Sequence, residues 1–274
     1  YTVTNSNDTI TISGKRVKYS INSITGMFES PQFTGPYLMI LPLNSEGGTQ
    51  MHGPTKFYEP YTHSCKEWSA SSVENSIENG LQVITVKGSY EEAEGTFTYT
   101  FKKDGTFSVD YDFITTEEVN PRQLGIVFEL PKTYENLKWN RKGYWTTYPE
   151  WHIARLQGTA KATEGFDSTP VGHRTKPDHE WRHDRTEIGS NDFASTKHNI
   201  YEASLTNAAG QGLEVIGDAD KHVRAWNHSN AIRLLIAHYS NGGAERYLRR
   251  VAKADVQPLK KGDKVIGSVN LKLK

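Results

Sequence analysis

Strict alternation of apolar and polar residues constrains this chain more than any other feature. "RVKYSI" (Arg16–Ile21), "LQVITVKG" (Leu81–Gly88), "TFTYTF" (Thr96–Phe101) and "TFSVDYDF" (Thr106–Phe113) each place an apolar or aromatic residue at every second position. Side chains of a strand point alternately to its two faces, so this period builds half-buried antiparallel strands. Asp104-Gly105 joins two of these runs and reads as a hairpin turn, because glycine tolerates positive φ. "LGIVFELP" and "NAIRLLIAHYS" are continuous apolar runs and read as more deeply buried strands, with "VIGSVNLKLK" as a closing strand. A helical period is nearly missing; "AERYLRRVAKA" (Ala244–Ala254) is the best candidate for a helix. The 23 glycines are spaced like turn punctuation.

These patterns predict one all-β domain over residues 1–274, built as two packed antiparallel sheets with long loops on one side. Sandwiches of that length occur as single units and bury enough surface to need no staple. The loops fall where the alternation lapses, at Ser45–Thr55 and Thr163–Ile188.

Bulk chemistry narrows the partners. Lys plus Arg and Asp plus Glu both number 32, which leaves no basic footprint for nucleic acid and no polybasic signal for anionic lipid. No run of about 18 apolar residues offers a membrane-spanning helix. A lone cysteine, Cys65, excludes an internal disulfide and reads as an inert half-buried thiol. No signal segment opens the chain. It begins inside a polar strand-like pattern, "YTVTNSNDTITISG", and is expected to be a piece of a longer secreted polypeptide.

Chemistry concentrates mid-chain. The stretch "KWNRKGYWTTYPEWHIARLQGTA" (Lys138–Ala160) holds three Trp, two Tyr, a His, a Glu and two Arg. Sugars present C–H faces that stack on Trp and Tyr, and hydroxyls that take bidentate polar partners. Trp139, Trp145, Tyr148, Trp151, His152 and Arg155 supply that mixture, with Glu150 beside them, and Tyr148-Pro149-Glu150 reads as a turn that presents its neighbours. Trp139 and Trp151 have an alternative reading as core rings, since each buries a large area. A second cluster, "GSNDFASTKHNIYEASLT", offers Asn191, Asp192 and Lys197 either as ligand-facing groups or as turn and solvated-edge residues. Asn227 and His228, after Trp226, read as a turn. "HEWRH" (His179, Glu180, His183) spells the zinc-hydrolase motif, but it stands among Pro177, Asp178, Asp184 and Arg185 with no apolar helical face. We therefore expect no metal and no cofactor. A carboxylate pair for glycoside cleavage, Glu150 with Glu180 or Asp192, has no spacing rule in an all-β chain to support it.

At "KGYWTTYPEWHIARLQGTA" followed by "GSNDFASTKHNIYEASL", the chain resembles the C-terminal small-chain domain of β-galactosidase-like family 2 glycoside hydrolases. There a G-x-G-x-x-E-x-Y-x-D-R stretch is followed by an Asn-rich strand, and "ISGKRVKYSINSITGMFES" fits the same domain's opening. The order of features extends from Thr9 to Leu273. This chain has Ala154 before Arg155 where the family has an acid, and its tail lacks the family's sugar-site Trp.

The resemblance implies a supersandwich of the galactose-mutarotase type and a place beside a catalytic TIM-type barrel in the same polypeptide. That barrel carries both catalytic Glu residues, so no residue here is assigned as catalytic. It implies a carbohydrate-binding or active-site-completing role through Trp145, Tyr148, Glu150, His152, Arg155, Trp181 and Asn191, with a glycan as partner. It also implies a periplasmic or extracellular setting. Two alternatives stay open: a stand-alone sugar epimerase, in which His152 or His179 with Glu150 or Glu180 imitates the mutarotase acid–base pair, and a purely structural spacer.

Overall fold

The computed structural model describes residues 1–15, 17–42, 64–143, 155–161, 196–240 and 257–274. Within them every regular element is a strand, and all pairings are antiparallel. The strands are β1 (Thr2–Ser6), β2 (Thr9–Ser13), β3 (Lys18–Asn22), β4 (Phe28–Glu29), β5 (Thr34–Pro42), β6 (Ser69–Glu78), β7 (Leu81–Ser89) and β8 (Ala93–Phe101). They continue with β9 (Thr106–Thr115), β10 (Pro121–Pro131), β11 (Asn136–Arg141), β12 (Gln157–Lys161), β13 (Lys197–Thr206), β14 (Gly212–His228), β15 (Ala231–Ser240) and β16 (Lys264–Leu273). The helix expected at Ala244–Ala254 and the loops expected at Ser45–Thr55 and Thr163–Ile188 lie outside the described residues.

The alternation is realised strand by strand. In β8 and β9, Phe97, Tyr99, Phe101, Phe107, Val109, Tyr111 and Phe113 all point inward and are buried, while Thr96, Thr98 and Asp112 face the other way. The turn between these strands sits at Asp104-Gly105, with Gly105 at φ +88°. Asp104 Oδ1 accepts from the Thr106 backbone N–H at 2.9 Å and locks the reversal.

The expected antiparallel sandwich is present, and its strands are hydrogen-bonded into one ladder whose main path runs β1-β2-β3-β4-β5-β10-β15-β14-β16-β9-β8-β7-β6, with β13 paired to β14, β11 to β13 and β12 to β11 off that path. The two layers arise because this ladder folds over itself. Tyr19 of β3 packs at 5.0 Å from the Phe101 ring and 5.1 Å from Phe107, and Phe28 lies 4.8 Å from Tyr99. Hydrogen bonds cross between the layers as well: Tyr99 Oη donates to Gly26 O at 3.0 Å and Trp68 Nε1 to Thr25 O at 2.8 Å. Each buried ring of this kind contributes roughly 2–3 kcal/mol by area. β14 makes the continuity possible. Its first part (Leu213–Ile216) pairs with β16, and its last part (His222–His228) pairs with β15. Between them Ala219 has φ +59° and Gly217 lies so close to Ile200 that a Cβ would stand 2.4 Å from its carbonyl oxygen.

Cys65 is buried, not half-buried, and burial pushes its thiol well above the ordinary range. Asn227 and His228 are the end of β14 and not a turn; the reversal is at Ser229-Asn230, with Ser229 at φ +49°.

Candidate functional site: the polar face of the central strands

β10 is buried on both faces, and the two faces differ in kind. One, carrying Leu124, Ile126, Phe128 and Leu130, joins the apolar core, with Phe128 edge-on to Phe33 at 5.6 Å. The other follows from register. Opposed residues in an antiparallel ladder point to the same side, so each row across β5, β10, β15 and β14 shares a face. One row is Thr34, Glu129, Arg233 and Trp226; the next is Tyr37, Val127, Leu235 and Arg224; the third is Met39, Gly125, Ala237 and His222. Residues of small or moderate volume (Gly125, Ala237, Val127) occupy the middle, and rings and charged groups stand at the sides.

The polar groups are wired together. Arg224 Nε donates to Gln123 Oε1 at 3.1 Å, and the Gln123 amide donates to Ser240 Oγ at 3.0 Å and to Thr196 Oγ1 at 3.3 Å. Arg224 also lies over the Trp226 ring, its Cζ 4.2 Å from the centroid, a cation–π contact strengthened by burial. Arg233 Nε donates to Glu129 Oε1 at 2.7 Å. Tyr37 Oη donates to Thr34 Oγ1 at 3.2 Å. Gln123, Arg224 and Trp226 are buried, whereas Thr34, Tyr37, Glu129 and Arg233 reach solvent in part. The face therefore has a closed end and an open end. Burial raises the Tyr37 phenol above its usual range, so at neutral pH it donates and accepts as a neutral hydroxyl.

A histidine group borders the face. The His198 and His222 rings stand 4.7 Å apart, and the Asn199 N–H donates to His222 Nδ1 at 3.1 Å. That bond fixes the neutral tautomer with its proton on Nε2. His238 is the extra residue of a β-bulge, where the β10–β15 register shifts at Leu124/Gly125. Bulges re-aim side chains, and His238 Nδ1 here meets the Tyr111 hydroxyl of β9 at 2.5 Å. His198, His222 and His238 are each lowered to about 4, by burial first and then by neighbouring positive groups, and are uncharged at pH 7.

Of the residues singled out from sequence, Arg155 is described. Its carbonyl oxygen accepts from Trp139 Nε1 and from Arg141 Nε, both at 3.1 Å, and so ties the approach to β12 onto β11. Trp145, Tyr148, Glu150, His152, Trp181 and Asn191 lie outside the described residues, as do Trp151, His179, Glu180, His183 and Asp192. Trp139 is a core ring, 1% exposed, seated on Gly158, where a Cβ would stand 2.4 Å from it. Lys197 is no solvated edge: it is buried with Nζ 4.6 Å from the Trp139 centroid.

Gln123, Glu129, Arg224, Trp226 and Arg233 went unselected in the sequence. A signal existed in "HVRAWNH", whose alternation lines up His222, Arg224 and Trp226 on one face. Among the described residues no group of three His, Cys, Asp or Glu surrounds a common point. A separate open groove of about 710 Å³ runs over the outer side of β8, β9 and β16, past Thr96, Asp110, Ile114 and Ile266. No exposed aromatic ring lines it.

The architecture is that of a large antiparallel β-sandwich protein with a polar, ring-bearing face on its central strands. The sequence model of the beta galactosidase small chain family matches residues 13–160, more than half of the chain, and the chain belongs to that family. Solved structures similar to it include a galactose mutarotase-like protein from Lactobacillus casei ATCC 334, at 11% identity and TM-score 0.44, over 97% of this chain and 100% of that one. Another is galactose 1-epimerase from Lactobacillus acidophilus NCFM, at 10% identity and TM-score 0.45, over 100% and 97%. A third is a GalM/aldose epimerase homologue from C. elegans, at 9% identity and TM-score 0.33, over 97% and 98%. At that distance no residue role passes from them to this chain. No curated protein sequence matches it.

Proposed function

We propose that this chain is a non-catalytic, carbohydrate-binding or active-site-completing domain of a family 2 glycoside hydrolase, working beside a catalytic barrel of the same polypeptide in a periplasmic or extracellular setting. Membership of the beta galactosidase small chain family supports the context. The observation that carries the binding role is the face built from Tyr37, Glu129, Arg233, Arg224 and Trp226, which combines rings, paired donors and a carboxylate in one patch with an open end. Saccharides ask for that combination: flat apolar surface for C–H faces, and fixed polar groups for hydroxyls. Trp145, Tyr148, Glu150, His152, Arg155, Trp181 and Asn191 belong to the same proposal as sugar-contacting residues.

A glycan array followed by calorimetry tests the reading. Binding that weakens by about 1–3 kcal/mol in Trp145→Ala or Tyr148→Ala, by analogy with stacking on aromatics in other ligand sites, supports it. A chain that binds no glycan is a structural spacer. Incubation with α-galactose or α-glucose, followed by optical rotation, addresses the epimerase alternative. Mutarotation well above the buffer rate overturns the non-catalytic assignment.

A further inference from the structure

Trp226 stands in the closed end of the polar face, 2% exposed, and its indole Nε1–H has no acceptor among the described residues. A buried donor left without a partner is unusual in a folded protein and destabilises by roughly 1–3 kcal/mol. The surroundings explain the vacancy of acceptors. Arg224 covers one side of the ring and Arg233 opposes Trp226 across the ladder; both are donors, and Glu129, the carboxylate of that row, takes the Arg233 bond. Arg224 is itself held by Gln123 and stays on the ring. The indole N–H is thus fixed in direction by a stacked guanidinium, next to a row whose other members, Thr34, Glu129 and Arg233, reach solvent.

We infer that the Trp226 indole N–H is the anchoring donor of the saccharide site: an oxygen of the bound sugar, hydroxyl or ring, accepts its hydrogen bond, and the ligand enters past Arg233 and Glu129. This inference rests on the carbohydrate-binding reading above and assigns a specificity-determining residue to it. The donor rejects apolar groups at that position, because a ligand atom that cannot accept leaves the N–H buried and unmet.

Trp226→Phe tests it: a six-membered ring stays beneath Arg224, while the N–H is lost together with the five-membered ring that carries it. With a sugar that the wild type binds, drawn from galactose, glucose and lactose, affinity is expected to fall roughly tenfold, the scale of one buried hydrogen bond. In a ¹⁵N-labelled wild-type titration, the indole resonance that disappears in the variant shifts as sugar is added. Equal affinity in both proteins, or an indole resonance that stays fixed while sugar binds, overturns the inference and leaves the binding role intact. If none of the sugars binds the wild type and the array is blank, both readings fall.

Discussion

Arg224 and Trp226, two residues apart on β14, share one face of the strand, with the guanidinium carbon 4.2 Å from the centre of the indole ring. The stack is not free to rotate, because Arg224 Nε is bonded to Gln123 Oε1 on β10. A strand at the far side of β15 thereby sets the position of a ring on β14.

Gln123 is the hinge of that arrangement, and its loss is expected to be felt twice. Gln123→Leu removes the acceptor of Arg224 Nε and the donors to Ser240 and Thr196. The expected loss is about 2–3 kcal/mol, since a bond to a buried charged group is broken without replacement. Urea denaturation measures it. A variant as stable as wild type would show that Arg224 re-pairs freely.

Stability is expected to fall on mild acidification. His198, His222 and His238 have values near 4 in the folded chain against an ordinary 6.5. Burial is the main cause. For His198 it is followed by His222, Arg141, Lys197 and Arg122, for His222 by Lys221, and for His238 by Lys221 and His222. Between pH 4 and 6.5 the unfolded chain therefore binds more protons than the native one. Their contribution is complete above the unfolded value and is lost progressively as pH drops towards the folded value. A urea midpoint that stays flat through that window would show these rings to be solvated.

Gly267 has to remain a glycine. It faces Tyr111 across the β16–β9 ladder, and a Cβ would stand 2.1 Å from the Tyr111 hydroxyl, which is in turn bonded to His238. Gly267→Ala is expected to destabilise by about 1–3 kcal/mol through overpacking. It should also move the His238 imidazole resonances in an NMR spectrum; unmoved resonances would place the strain elsewhere.

Tyr99→Phe isolates one of the polar bonds that join the two layers. The lost bond to Gly26 O is expected to lower stability by about 1 kcal/mol, read as a drop in urea midpoint with unchanged slope. A change in slope would mean that the layers separate before the rest unfolds.

The strands at Leu81–Ser89, Ala93–Phe101, Thr106–Thr115, Ala231–Ser240 and Lys264–Leu273 were legible in the sequence, because period-2 alternation and the Asp104-Gly105 turn are local properties. Trp139 stood open between a sugar-stacking ring and a core ring, and burial decided for the core. Gln123, Glu129, Arg224 and Arg233 were not selected, since each is an ordinary polar letter until register brings it beside the others. His238 was hidden for a further reason: its direction is set by a bulge at Gly125, and an extra residue in one strand leaves no mark in either strand's own pattern.

What the sequence determined by itself is the kind of element and which residues of each strand turn inward, since both follow from the backbone's two-residue repeat. Tertiary structure alone decided that the two layers are joined through β14, and that a glutamine, two arginines and a tryptophan from three strands form one face. The physical reason is that pairing register and strand order are relations between distant segments, fixed by which apolar faces can be buried together, and no single segment contains them.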